Sequence, residues 1–186
     1  MNVSFRSAWV LSAVALAVLP SAVRAQSYPR TLVANAAVSG ANGALTGTVT
    51  IHVDELMHDV DFKQVADALQ YGGYLQFLPA LRKLPEVGYV QIGDRKTALK
   101  YARVRPGASP LLVLGTDRPI FFVGGGAPDA KPKAGYEVGV IELDIDATGN
   151  GKGTMAGAAR VKRGPDGGPI VEDYAEAPIQ LTVKPK

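Results

Sequence analysis

The only two histidines of the chain lie six positions apart, in a short stretch that also contains four carboxylates. The stretch IHVDELMHDVD, residues 51–61, contains these side chains: His52, Asp54, Glu55, His58, Asp59 and Asp61. On a β-strand, alternate residues project from the same face and lie about 6 to 7 Å apart at their Cα atoms. Imidazole and carboxylate groups bind zinc-like ions, which need three or four ligands. His52, Asp54 and His58 are therefore a candidate site for a divalent metal such as zinc.

The same stretch also has a simpler interpretation, as the corner where a strand leads into a helix. Asp61 precedes a helical pattern and Gln64 follows three residues later, which is the spacing of a capping box. Asp59 would favour the positive end of that helix, and Asp54 would be solvated at the end of the strand. No HExxH or HxH spacing occurs. We therefore prefer the corner and keep the metal site as the alternative.

The elements around this corner predict a β-rich domain. In LTGTVTIHV (residues 45–53), apolar residues alternate with Thr46, Thr48, Thr50 and His52, as in a half-buried strand. Residues 61–84 carry the only helical periodicity, which Gly72–Gly73 and Pro79 interrupt. Most of the remaining chain consists of short strand patterns separated by turns. The predicted fold class is α+β, with a mostly antiparallel twisted sheet or partly closed barrel of eight to nine strands and one or two helices packed on one face.

Three further segments have structural interpretations. PLLVLG (110–115) and PIFFVGG (119–125) are apolar throughout, which predicts two strands at the centre of the sheet. DIDATGNGKGTM (144–155) resembles the first half of a calcium loop, but a lysine and a methionine occupy two of its later ligand positions, so we predict a hairpin. The small side chains of GTMAGAAR (153–160) leave room for the helix to lie close to the sheet or, alternatively, for an apolar ligand.

The N-terminal residues MNVSFRSAWVLSAVALAVLPSAVRAQ have the pattern of an export leader. Arg6 supplies the basic start, residues 8–19 form the apolar run, and Val23 and Ala25 suit a signal peptidase. We predict a signal peptide over 1–25, a single domain over 26–186 and a periplasmic or secreted location. The apolar run is shorter than the ~20 residues of a spanning helix. No membrane span is therefore expected after cleavage of the leader.

Composition argues against several functions. Without the leader the chain has eighteen basic and seventeen acidic residues, and this balance disfavours binding to nucleic acid. No cysteine is present, so disulfides, thiolate metal sites and a cysteine nucleophile are excluded. The serines after the leader, Ser27, Ser39 and Ser109, do not lie in a GxSxG motif. Hydrolase chemistry of the serine or cysteine type is not favoured.

Four blocks carry a resemblance to a known family. GYVQIGDRKTALKYARV, TDRPI, IELDIDATGNGKGTM and EDYAEAPIQLT resemble segments of a family of uncharacterised exported bacterial proteins, over roughly residues 45–183. The resemblance implies a single β-rich domain behind an export signal. It implies no activity and no catalytic residue.

From these observations we predict a non-enzymatic binding or accessory protein that holds a small or apolar ligand between the helix and the sheet, without a cofactor. The aromatic residues that would line such a cleft are Tyr71, Tyr74, Phe77, Tyr89 and Tyr101. The alternatives are a small metal-dependent enzyme or metal carrier that uses the His52–His58 region, and a purely structural component of the cell envelope.

Overall fold

A computed structural model describes residues 27–40, 43–107, 109–122 and 132–185. These residues form nine strands and one helix: β1 (Arg30–Gly40), β2 (Gly43–Val53), α1 (Asp59–Lys83), β3 (Gly88–Ile92), β4 (Arg95–Arg105), β5 (Leu111–Thr116), β6 (Val138–Ile145), β7 (Gly151–Arg163), β8 (Pro169–Tyr174) and β9 (Ile179–Lys184). The predicted leader lies outside the described residues. In the described ranges, no helix has the length and apolar character needed to cross a membrane.

The strands close into an antiparallel barrel. β1 to β7 pair in sequence order, and β9 then lies between β7 and β1, which completes a ring of eight strands. β8 is an additional strand that pairs with the last residues of β7. The predicted α+β class with a partly closed barrel is confirmed, and the ring is complete because the last strand of the chain returns to the first.

Alternation along the strands separates the inside of the barrel from the outside. In β9, Ile179, Leu181 and Val183 are buried while the residues between them are exposed. β1 and β2 follow the same alternation, and their inward residues include Leu32, Ala34, Val49 and Ile51. An eight-stranded barrel is just wide enough for side chains to fill its interior. The side chains that fill it here include Ile51, Leu99, Leu114, Ile141, Leu143, Met155 and Leu181, all almost completely buried.

Helix α1 begins three residues earlier than a capping box on Asp61 would place it. Its N-cap is His58, whose side chain makes no capping hydrogen bond, and Asp59 and Asp61 both lie in the first turn. The prediction that Asp61 caps the helix is therefore wrong. Both carboxylates still favour this end, because the N-terminus of a helix carries partial positive charge.

The helix bends sharply at Gly73, which divides the predicted helical region into two segments. Gly73 has φ 60° and ψ −159°, a conformation that is accessible essentially only to glycine. Pro79 lies within the second segment. The sequence therefore indicated both helical segments, and the structure joins them through one non-helical residue.

The helix covers the outside of one half of the barrel. It contacts β7 and β4, and the small side chains of β7 allow this close approach, as predicted. Tyr101 on β4, Val113 on β5 and Val140 on β6 occupy outward positions by register, yet all three are buried. Phe62 from the helix lies against Tyr101, and the turn after β7 brings Gly168 close to the same phenol.

Two of the predicted segments, a hairpin and a buried strand, have different outcomes. β6 and β7 form the predicted hairpin, in which Asp146 accepts hydrogen bonds from the Thr148 hydroxyl and from the backbone N–H groups of Thr148 and Asn150. These bonds hold the pKa of Asp146 below its ordinary value. The prediction of a strand over 119–125 is wrong for the described residues of that segment, because residues 119–122 do not form a strand. The remaining residues of that segment lie outside the described ranges.

Candidate functional site

The predicted metal ligands lie at the end of β2 and do not form a three-ligand group. His52 Nδ1 shares a hydrogen bond of 2.7 Å with the Thr31 hydroxyl, and His52 Nε2 lies 3.1 Å from Asp54 Oδ1. His58 Nε2 instead lies 3.8 Å from Glu55 Oε2. Both imidazoles thus take part in local polar pairs.

The geometry therefore argues against the predicted zinc-like site at His52, Asp54 and His58. No group of three or more histidine, aspartate or glutamate side chains suited to a metal occurs in the described parts of the chain. The physical reason is the turn at residues 54–58. The backbone N–H of Met57 donates to the Ala102 carbonyl, which holds this turn against β4.

The five aromatic residues predicted to line a cleft do not lie around one space. Tyr71 is 80% exposed on the helix, whereas Phe77 is buried in the core. Tyr74 is partly buried, and its ring lies 6.4 Å from that of Phe77. Tyr101 is buried beneath the first turn of the helix, and burial raises its pKa. Tyr89 points outward from β3, beyond the strands that the helix contacts, and stacks on His52.

The space between helix and barrel is closely filled by side chains. Val65 and Leu81 are completely buried, and Phe77 is 1% exposed. The interior of the barrel is occupied by the aliphatic residues described above. An apolar ligand would have to displace these side chains, and the prediction of such a ligand therefore gains no support from the packing.

The helix contacts β7 and β4 and leaves the outside of β9, β1, β2 and β3 uncovered. We call this surface the open face. Its outward side chains are Gln180, Thr182 and Lys184 on β9; Thr31, Val33, Asn35, Ala37 and Ser39 on β1; Thr46, Thr48, Thr50 and His52 on β2; and Tyr89 and Gln91 on β3. Most are neutral groups that both donate and accept hydrogen bonds.

Strand register aligns these side chains in rows that run across the strands. One row runs from Lys184 through Val33, Thr50 and Gln91 to Lys96 on β4. Neighbouring strands are about 4.8 Å apart, so this row of five positions is roughly 19 Å long. The next row runs through these residues: Lys152 on β7, Thr182, Asn35 and Thr48.

Most of the hydrogen-bonding groups in these rows are free to meet a ligand. Among the described residues, no side-chain hydrogen bond to another protein group involves Asn35, Thr46, Thr48, Thr50, Gln180 or Thr182. The exceptions on the open face are His52, which is bonded to Thr31, and Gln91, which donates to the Gly93 carbonyl. The rows therefore offer hydroxyl and amide groups that are otherwise available only to water.

The open face has an unusual charge distribution. β1, β2, β3 and β9 contain no aspartate or glutamate, and neither does β4 or β7 on either side. The nearest carboxylates in sequence are Asp54, after the end of β2, and Glu86 and Asp94, each two residues beyond an end of β3. The exposed cations Lys184 and Lys96 mark the two ends of the longer row. The surface is thus neutral in its centre and basic at its sides.

The sequence pattern indicated one strand of this surface but not the extent of the surface. The alternation of Thr46, Thr48, Thr50 and His52 indicated a polar side of one strand. The contributions of β1 and β9 could have been anticipated from the absence of carboxylates in their sequences. The rows themselves require the pairing of β9 with β1, which joins residues about 150 positions apart.

Comparison of the chain with protein-family models, with curated proteins and with solved structures gives no match. The resemblance to a family of exported bacterial proteins therefore stays a prediction. The barrel is compatible with a binding protein, and the function has to be argued from the surface described above.

Proposed function

We propose that this chain is a non-catalytic binding protein and that its ligand is a glycan chain held on the open face. The observation that carries the proposal is the set of parallel rows of threonine, asparagine and glutamine side chains across β9, β1, β2 and β3. A sugar presents hydroxyl groups that donate and accept hydrogen bonds, as these side chains also do. A regular row offers several such bonds to an extended polymer.

The rigidity of the barrel supports this proposal. The side chains of a row project from paired strands whose opposite faces lie in the buried core, so that the spacing between rows does not depend on loops. A preorganised surface loses little conformational entropy when it binds. The export leader predicted over 1–25 agrees with a protein that meets glycans in the periplasm or outside the cell.

The small apolar ligand predicted from sequence has less support. Its proposed lining residues lie on different sides of the molecule, and the helix–barrel interface is filled by buried side chains such as Val65 and Leu81. A metal-dependent activity is not proposed, because His52, Asp54 and His58 do not form a common site.

The proposal is tested by removing three hydroxyl groups from β2. In the variant Thr46→Val/Thr48→Val/Thr50→Val the shape and strand propensity of the side chains are retained while their hydrogen-bonding groups are lost. Binding to soluble dextran, xylan, polygalacturonate and alginate is measured by affinity electrophoresis and calorimetry. A hydrogen bond contributes about 0.5 to 1.5 kcal/mol, so we expect binding to the recognised glycan to weaken about tenfold or more.

The matched control places three substitutions on the exposed side of the helix. Gln64→Ala/Gln70→Ala/Gln76→Ala changes three exposed polar residues far from the rows, and we expect wild-type affinity. The proposal is wrong if the helix variant loses binding while the threonine variant retains it. The proposal is also wrong if the wild-type protein binds none of the four glycans. That result would favour the purely structural role.

A further inference from the structure

We propose that the ligand of the open face is an acidic polysaccharide, whose carboxylates pair with the lysines at the two sides of the rows. This inference rests on the proposed function and names the class of glycan. The absence of carboxylates from the strands of the open face removes the repulsion that an acidic polymer would otherwise meet. The positions of the lysines then determine how such a polymer lies.

Lys184 and Lys96 are placed to hold a polymer that runs across the strands. Both side chains are exposed, and they occupy the two ends of one row. Between them the row presents Thr50 and Gln91, which suit the hydroxyl groups of sugars. A chain of sugar acids laid along this row would place carboxylates near both ammonium groups and hydroxyls near the neutral centre.

The ammonium groups are available for such pairing. In the described residues, neither Lys184 nor Lys96 takes part in a salt bridge, and Lys96 Nζ lies 4.3 Å from the centre of the Tyr89 ring. Lys152 is also exposed, but its cross-strand neighbour on β6 is Asp144. Because Asp144 partly offsets the charge of Lys152, Lys184 and Lys96 are the stronger candidates.

The same features favour a glycan over a single-stranded nucleic acid. Proteins that bind single strands combine a basic groove with aromatic side chains on which bases stack. The aromatic ring on the open face, Tyr89, already contacts both the His52 ring and the ammonium group of Lys96. Neutral hydroxyl and amide groups lie between and beside the lysines along the rows, which fits a polymer that presents sugar hydroxyls next to its carboxylates.

The experiment compares acidic polymers with their own neutral derivatives. Polygalacturonate and alginate are tested beside the same polymers with esterified carboxylates, against the wild-type protein and the variant Lys96→Gln/Lys184→Gln. Exposed ion pairs are individually weak, so we expect the variant to bind the acidic polymer about three- to tenfold less tightly. We expect esterification to weaken wild-type binding by a similar factor. Raising the NaCl concentration from 50 to 500 mM should also weaken binding, because salt screens exposed charges.

The control variant removes the same charge from another surface. This control is Lys83→Gln/Lys162→Gln. Lys83 lies on the helix, Lys162 lies on the outer part of β7, and both side chains are exposed. It should bind as the wild-type protein does. Circular dichroism and thermal unfolding of both variants establish that the fold is retained.

The possible outcomes separate this inference from the proposed function. If dextran, xylan or the esterified polymers bind as tightly as the acidic ones, the acidic preference is wrong and glycan binding stands. If no glycan binds, both proposals fail. If a deoxythymidine oligonucleotide binds as tightly as polygalacturonate, the open face recognises polyanions in general, and the assignment of a polysaccharide is overturned.

Discussion

Tyr74 joins the kinked helix to the beginning of β6 through a pair of hydrogen bonds. Its hydroxyl donates to Glu137 Oε2 at 2.6 Å and accepts from the Glu137 backbone N–H at 3.0 Å. The same carboxylate oxygen accepts from the Gly135 backbone N–H at 2.9 Å. Burial, reinforced by the hydrogen bond to Glu137, raises the pKa of Tyr74 above its ordinary value. The phenol therefore stays protonated and serves as a structural donor.

Replacing Tyr74 with Phe tests this link. The substitution keeps the ring against Phe77 but leaves the Glu137 carboxylate with one fewer donor. A hydrogen bond to a charged group contributes about 1.5 to 3 kcal/mol when buried, and Tyr74 is only partly buried. We therefore expect the free energy of unfolding to fall by about 1 to 2 kcal/mol, measured by urea denaturation. Tyr71→Phe, on an exposed side chain, should change it by less than about 0.5 kcal/mol, and equal effects would contradict the link.

At the scale of elements, helix α1 depends on its bend. Val65 and Leu69 in the first segment and Phe77 and Leu81 in the second are all buried against the rest of the molecule. A straight helix of this length could not bring both segments onto a curved barrel. Gly73 provides the change of direction, because its backbone takes a conformation that side chains disfavour.

The substitution Gly73→Ala should strain this bend. Apart from the adjoining residues of the helix, no atom lies within 4 Å of the added Cβ, so that the expected cost comes from the backbone conformation and not from a clash. Such conformations cost about 1 to 3 kcal/mol for residues other than glycine. We expect unfolding at correspondingly lower urea concentration, with Gln70→Ala in the same helix as the control. An unchanged midpoint for Gly73→Ala would show that the bend is not required.

At the scale of the whole molecule, the barrel has two unlike outer surfaces around one packed interior. The helix and the turn after β7 cover β4 to β7, where outward residues such as Val113 are buried. β9, β1, β2 and β3 remain uncovered and carry polar residues outward. The interior thus stabilises the fold, and the uncovered surface is the one on which we propose that a ligand binds.

The substitution Leu181→Ala measures how closely the interior is packed. Leu181 lies on the closing strand between Ala36 of β1 and Gly153 of β7 and is 2% exposed. Truncation of a leucine in a packed core costs about 2 to 5 kcal/mol. The neighbouring Gln180→Ala, which points outward, should cost far less. A loss below about 1 kcal/mol for Leu181→Ala would indicate a loosely filled barrel with room for a ligand, and would favour the apolar ligand predicted from sequence.

Local patterns in the sequence were sufficient for most elements. The alternation over 45–53, the helical spacing over 61–84 and the Asn-Gly turn of the β6–β7 hairpin each depend on residues close together in the chain, and each was predicted correctly. Errors arose where contacts with distant residues decide the outcome. Asp61 does not cap the helix, because the helix already begins at Asp59, after a turn that is hydrogen-bonded to Ala102 on β4. The apolar run after Pro119 resembles a strand, but the described residues Pro119–Phe122 do not form one.

The sequence alone determined the β-rich class, the helical region and the chemistry that a chain without cysteine lacks, because composition and short-range periodicity are properties of neighbouring residues. The closure of the barrel and the rows of the open face were decided only by tertiary structure. Lys184 and Lys96 belong to one row because β9 pairs with β1 and β3 with β4. Hydrogen bonds between strands set that register, and no pattern within a single strand specifies which distant strand will lie beside it.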